Sequence, residues 1–267
     1  MVQCQPSSLH SEKLVLLSST IRDDKNINKG IFIACFILFL WAISLILLLS
    51  IDTSIIHKSL LGIAMLWQTF LYTGLFITAH DAMHGVVYPK NPRINNFIGK
   101  LTLILYGLLP YKDLLKKHWL HHGHPGTDLD PDYYNGHPQN FFLWYLHFMK
   151  SYWRWTQIFG LVMIFHGLKN LVHIPENNEL FYIPENNLII FWMIPSILSS
   201  VQLFYFGTFL PHKKLEGGYT NPHCARSIPL PLFWSFVTCY HFGYHKEHHE
   251  YPQLPWWKLP EAHKISL

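Results

Sequence analysis

Residues 31–51 read IFIACFILFLWAISLILLLSI, 21 consecutive positions without a charge. At 1.5 Å per residue a helix of that length crosses the roughly 30 Å hydrocarbon layer of a bilayer. In lipid the backbone can satisfy its own polar groups only as a helix or a closed barrel. A chain with such a segment is expected to be an all-α integral membrane protein. Composition agrees: half of the 267 residues are apolar and only 13% are charged, well below the charged fraction of about 25% in soluble domains.

Four spans are predicted. The second, SLLGIAMLWQTFLYTGLFITA (59–79), runs directly into His80. A third covers about 156–174, and LIIFWMIPSILSSVQLFYFGTFL (188–210) makes a fourth, kinked by Pro195 and ending at Pro211 and His212. NNFIGKLTLILYGLLP (95–110) is too short to cross and holds Lys100 and two glycines, so it reads as a re-entrant or interfacial hairpin. The aromatic-rich FFLWYLHFMKSYWRW (141–155) suits an interfacial helix at headgroup level, and the residues after 211 lie along the interface. Residues 1–30 are polar, lack the pattern of a signal peptide and read as a cytoplasmic tail before a single membrane domain at 31–265. With both termini in the cytoplasm, only Lys58 and Lys169 of the 20 lysines and arginines fall in outer loops, the bias expected of cytoplasmic segments.

A net charge of +4 without a basic stripe sets nucleic acid aside. Cys4, Cys35, Cys224 and Cys239 contain no C-x-x-C pair, which excludes a zinc ribbon or thiol redox motif. The unusual residue is histidine, present 19 times. HDAMH carries His80 and His84; HWLHH carries His118, His121 and His122; HKEHH carries His245, His248 and His249. Residues three and four apart share a helix face, so each box is a multidentate arm. In the four-span topology all three arms meet as a cap on the cytoplasmic side.

Eight neutral nitrogen donors exceed what one ion takes, so two metals are implied. Imidazole suits zinc, copper, iron and nickel. Iron is favoured, because a dinuclear site beside lipid points to oxidation of an unactivated C–H bond with O2, and zinc cannot change valence. His212, at the end of the fourth span, and His241, four residues before His245, compete to extend the set. Asp81, Asp128, Asp130 and Glu247 are candidates to orient the ligands, since a ligating imidazole usually donates its other N–H to a carboxylate or carbonyl. With no G-x-G-x-x-G, no iron–sulfur pattern and no haem motif, the electrons must come from an external donor. A ferredoxin-like partner docking on Lys112, Lys116 and Lys117 is one expectation, although lysines at that level also bind anionic membrane lipid. A metal-binding membrane protein without chemistry is the alternative of another class.

The strings HDAMHG, HWLHHGHPGTDLDPDY, FGTFLPH and HFGYHKEHHEYPQLPWWKLP resemble the bacterial beta-carotene ketolases, one branch of the membrane di-iron superfamily of fatty acid desaturases. The resemblance covers about residues 30–265. It implies a four-helix enzyme that uses O2 and two Fe ions to place a keto group at C4 of the beta-ionone ring of beta-carotene, giving echinenone and canthaxanthin. Its metal ligands carry over onto the eight box histidines, and His212 in FLPH takes the place of a further ligand at the end of the fourth span. Ring hydroxylation and acyl-chain desaturation are the neighbouring activities.

Overall fold

In the computed structural model, residues 28–137, 139–171 and 183–266 are described, and all regular structure among them is helical. Three helices are long and apolar enough to cross a membrane: α1 (Lys29–Ser50), α2 (Lys58–Met83) and α7 (Glu185–His212). The segment expected as a third span forms α6 (Trp155–Leu171), whose 17 described residues fall short of that length; its expected end at 172–174, like residues 1–27 of the polar tail, lies outside the described residues.

The spans divide the work of facing lipid and facing protein. On α1 only a narrow stripe is buried, Gly30, Ala34, Ile37, Trp41 and, near its end, Leu49, at the spacing of one helix face. Phe32, Phe36, Phe39 and Leu47 point outward, as lipid-facing residues do. Gly30 is required for the close approach, because a Cβ there would stand 2.4 Å from the Val87 carbonyl oxygen. Helix α2 is the centre of the bundle, buried on most sides from Gln68 to Met83. Two of its interior polar side chains tie it to neighbouring helices: Ser44 Oγ donates to Gln68 Oε1 at 2.8 Å, and Thr73 Oγ1 donates to Gln202 Oε1 at 2.6 Å.

The expected hairpin follows α2. Helix α3 (Pro92–Gly107) starts with Asn91 Oδ1 accepting from the Arg93 and Ile94 N–H groups. Near its start Asn95 donates to the Ala82 carbonyl at 2.7 Å, and near its end Tyr106 packs on Tyr72 with centroids 6.1 Å apart. It thus runs from the histidine end of α2 to mid-depth. Leu108 turns the chain with φ 56°, and α4 (Tyr111–Gly123) climbs back, its Tyr111 hydroxyl donating to Asn96 at 3.2 Å. Helix α5 (Phe141–Tyr152) is separated from α6 by Trp153 and Arg154.

Helix α7 holds two π-helical stretches, Leu188–Met193 and Tyr205–Phe209, each just ahead of a proline, Pro195 and Pro211. Proline lacks an N–H and its ring clashes with the carbonyl four residues back. The wider turn, in which Ile194 donates to Ile189 O and Leu210 to Tyr205 O, accommodates it. Beyond α7, α8 (Leu232–Cys239) is short and exposes Leu232, Phe233 and Trp234. Tyr240 and His241 both adopt positive φ, and α9 (His245–Glu250), a 3-10 turn (Trp256–Lys258) and α10 (Leu259–Ser266) complete the chain.

Candidate metal centre

The ends of α2, α4, α7 and α9 converge, and each delivers histidines to the same place. The i, i+4 spacing on α2 sets the His80 and His84 rings 5.0 Å apart; the two H-x-x-H-H boxes sit on α4 and α9. Their ring nitrogens form two groups, in each of which one nitrogen per residue lies within 4.8 Å of all the others. The first group is His80, His84, His118 and His248; the second is His121, His212, His245 and His249. His122 lies between them, its Nε2 3.0 Å from that of His248 and its ring 4.2 Å from the His249 ring.

The spacing suits ions. His80 and His248 Nε2 are 3.1 Å apart, His84 and His118 2.6 Å, His121 and His249 3.0 Å, and His245 and His249 3.1 Å. Nitrogens bound to one first-row ion at about 2.0–2.1 Å stand about 3 Å from each other. Two tautomers are fixed by their partners: His121 Nδ1–H donates to Asp130 Oδ1 at 2.9 Å, and His212 Nδ1–H to the Cys224 carbonyl at 2.8 Å. Both therefore present a lone pair on Nε2, and that of His212 is buried without a partner among the described residues.

The electrostatics favour neutral imidazole, the form that binds metal. Burial, reinforced by neighbouring imidazoles, holds His118, His122, His245, His248 and His249 below the ordinary histidine value, and burial holds His84 down at about 4. His121 is the exception. Burial pushes it down, but the Asp130 charge and hydrogen bond, with Asp132, hold it above.

All eight box histidines and His212 are thus brought together. His241 is not: its backbone is left-handed, its Nδ1 stands 3.0 Å from Ser235 Oγ, and its ring packs on Phe236, Tyr244 and Trp256. Exposed His124, which caps α4, also stays outside.

Among the carboxylates, Asp128 is corrected. It is exposed and accepts from Asn135 at 2.6 Å within its own turn, and Asp130, two residues on, faces His121. Asp81 sits 3.5 Å from His80 Nδ1 and accepts the Trp256 N–H at 3.1 Å, which ties the C-terminal segment to α2. Glu247 leaves the cluster and accepts from His263 and Ser227 instead. Asp132 was not anticipated. It lies 3.9 Å from His121, accepts from the Tyr152 hydroxyl and is pushed up to about 6 by burial. The D-x-D spacing was the only signal for it. Of the three lysines proposed for docking, Lys112 and Lys116 are exposed, whereas Lys117 donates to the Ser151 carbonyl.

Beside the histidines lies a chamber of about 90 Å³, walled by Phe76, Leu109, Phe148 and Phe242 and floored by His80, His118, His121 and His245. A second cavity of about 320 Å³ opens between α6 and α7, lined by Val162, Phe165, Trp192 and Ile197. The two share Tyr106, Met149, Trp153 and Ser200.

The fatty acid desaturase family matches residues 58–179 and 178–267. The chain is 39% identical to a beta-carotene ketolase of Paracoccus sp. (strain PC1) over 91% of its own length and 95% of that protein. It belongs to the beta-carotene ketolase branch of the fatty acid desaturase family. A second beta-carotene ketolase, from Paracoccus sp. (strain N81106 / MBIC 01143), is 42% identical over 77% of this chain and 80% of its own. A zeaxanthin 4-ketolase of Chlamydomonas reinhardtii is 37% identical over 86% of this chain and half of its own length. The ketolase branch accounts for an oxidoreductase in which a histidine cluster adjoins an apolar chamber.

Proposed function

We propose that the protein is a beta-carotene 4-ketolase, placing a keto group at C4 of the beta-ionone ring with O2 as co-substrate. The observation that carries this reading is the pair of histidine groups at the closed end of an apolar chamber, next to a cavity between membrane helices. His80, His84, His118 and His248 would hold one iron, His121, His212, His245 and His249 the other, with His122 between. Two irons bound there would supply oxidation of the ring C–H bond.

The chain itself supplies position. The polyene lies in the α6–α7 cavity, and the ring enters the chamber past Tyr106, Met149, Trp153 and Ser200. Phe76, Phe148 and Phe242 exclude water and orient the ring, which converts an encounter in the bilayer into a fixed geometry. The Tyr152–Asp132 pair holds a proton at the chamber wall. Each of two hydroxylations at C4 consumes one O2, two electrons and two protons and releases one water; loss of water from the geminal diol leaves the ketone. The electrons come from a ferredoxin-like donor, with Lys112 and Lys116 as its landing charges. Residues 31–265 act as a single domain of four spans, with both termini and the histidine cap on the cytoplasmic side, as the lysine and arginine bias supports.

The test is expression in a beta-carotene-producing host. Ketone products, with absorption shifted to the red and about two irons per chain, are expected. Unchanged carotene, or zinc alone in the purified protein, rejects the reading. A 3-hydroxylated ring or a desaturated acyl chain would instead select one of the neighbouring activities.

A further inference from the structure

Threonines beyond the first turn of a helix follow a rule in this protein. Thr69, Thr73, Thr78, Thr102 and Thr238 each place the hydroxyl on the carbonyl four residues back, the usual resting place of a helical threonine. Thr208 breaks it. It is 5% exposed, lies in the π-helical stretch Tyr205–Phe209, and its hydroxyl has no hydrogen bond among the described residues. The wider π turn moves the preceding carbonyls out of register, and such turns frequently mark functional sites.

Thr208 lines the chamber together with Phe242 and His245. Gly207 beside it is pressed against Phe242, where a Cβ would come within 2.4 Å of the ring. Three other residues of the chamber wall carry hydroxyls, and all are engaged. Tyr106 donates to Ser199 at 3.3 Å, Tyr152 to Asp132, and Ser200 to the Ile197 carbonyl at 2.7 Å while lying 2.6 Å from the Tyr145 hydroxyl. One hydroxyl among the residues lining the chamber is left without a partner among the described residues, and polar groups inside a protein normally have one.

The reaction itself makes a partner. Converting a CH2 to a ketone requires that the alcohol formed in the first oxygenation stay in the chamber for the second. Its new oxygen would form beside the histidines, in the chamber that Thr208 also lines. We propose that the Thr208 hydroxyl is the hydrogen-bond partner of the C4 oxygen, holding the 4-hydroxy intermediate so that oxidation proceeds to the ketone. Thr208 is thereby a substrate-binding residue that determines the product, and this assignment rests on the ketolase reading. No additional co-reactant is involved, because the bond that breaks and the electrons consumed are those of the second hydroxylation.

The test compares wild-type holoenzyme with Thr208→Val and Thr208→Ala, which remove the hydroxyl, and Thr208→Ser, which keeps it. Each is assayed in membranes with two substrates, an unsubstituted beta-ionone ring and the same ring already hydroxylated at C4. The readouts are the alcohol-to-ketone ratio released from the first substrate and the ratio of kcat/KM between the two. Loss of one buried hydrogen bond is expected to cut the preference for the hydroxylated ring about tenfold, with free alcohol accumulating in both hydroxyl-less variants and Ser restoring the ketone. If both ratios stay at the wild-type value in Val and Ala, the assignment is overturned. Iron content reads folding independently of these ratios. Absence of any oxygenated product from wild-type enzyme strikes the ketolase reading itself.

Discussion

The two histidine groups use the same side chain for the same purpose but are built differently. In the first, His84 and His118 are half-buried, and Nδ1 of His80 and of His84 lacks a hydrogen-bond partner among the described residues. In the second, all four histidines are buried; Nδ1 of His245 and of His249 likewise lacks a partner among the described residues, but the other two are clamped from behind, His121 by Asp130 and His212 by the Cys224 carbonyl. A clamp of this kind fixes the ring and its tautomer and raises ligand basicity. The difference teaches that the second group is preorganised through His121 and His212, whereas its other two histidines, like His80 and His84 of the first, are held by the helices that carry them.

The largest effect comes from removing a ligand. His248→Ala should empty the first group and His121→Ala the second, each taking metal content from about two ions to about one and ketone formation to background, with membrane insertion intact. Metal analysis of the two purified variants checks this. Loss of both ions from either variant would mean that the groups are one site, and retained activity in either would overturn the ligand assignment.

Next in size is the clamp. Asp130→Asn keeps the shape and removes the charge facing His121, and metal affinity in the second group should fall about 10- to 100-fold. Asp128→Asn, two residues away in the exposed turn, should leave it unchanged. Competition with a chelator, read by residual iron, separates the two. Equal effects would remove Asp130 from its place behind His121.

Acid should act on the metal-free protein with opposite sign at the two groups. His84 is held at about 4 against an ordinary 6.5. Between these values the unfolded chain takes a proton that the folded one refuses, so stability falls as the pH drops from 6.5 towards 4. His121 is held above its ordinary value, so its stabilising contribution is complete below 6.5 and is lost as the pH rises through the raised pKa. His84→Ala should flatten the acid limb of a stability profile followed by tryptophan fluorescence, whereas His121→Ala should leave that limb's slope unchanged and flatten the fall in stability above pH 6.5. Flattening of the same limb by both would erase the electrostatic contrast.

These contrasts were unevenly legible in the sequence. The boxes could be read because i, i+3 and i+4 spacing fixes which residues share a helix face whatever the tertiary fold, and α1 because 21 uncharged residues leave few alternatives. His212 could be placed by its position at the end of a span. Asp128 and Asp130 could not be separated, because in a turn the direction of a side chain depends on backbone angles that spacing does not encode. Asp132 and Tyr152 meet across a loop and a helix 20 residues apart, and nothing local announces that pairing. The π turns of α7 were likewise hidden, since proline marks where a helix is disturbed but not how the disturbance is absorbed.

The smallest effect concerns His241, which spacing puts on the face of His245 if the helix extends that far back. It does not extend: Tyr240 and His241 take left-handed backbone, and α9 begins only at His245. The His241 ring is thereby turned to Ser235, Tyr244 and Trp256, while His212 fills the fourth position of the second group. His241→Ala should therefore retain both ions and cost about 1 kcal/mol of stability, the worth of the Ser235 hydrogen bond. His212→Ala should release the ion of the second group. Measuring iron and thermal midpoint on this pair gives the finest resolution of the boundary of the site. If iron falls in His241→Ala and not in His212→Ala, the preorganised group has been drawn around the wrong residue, and the clamp from Cys224 would be only a helix-end contact.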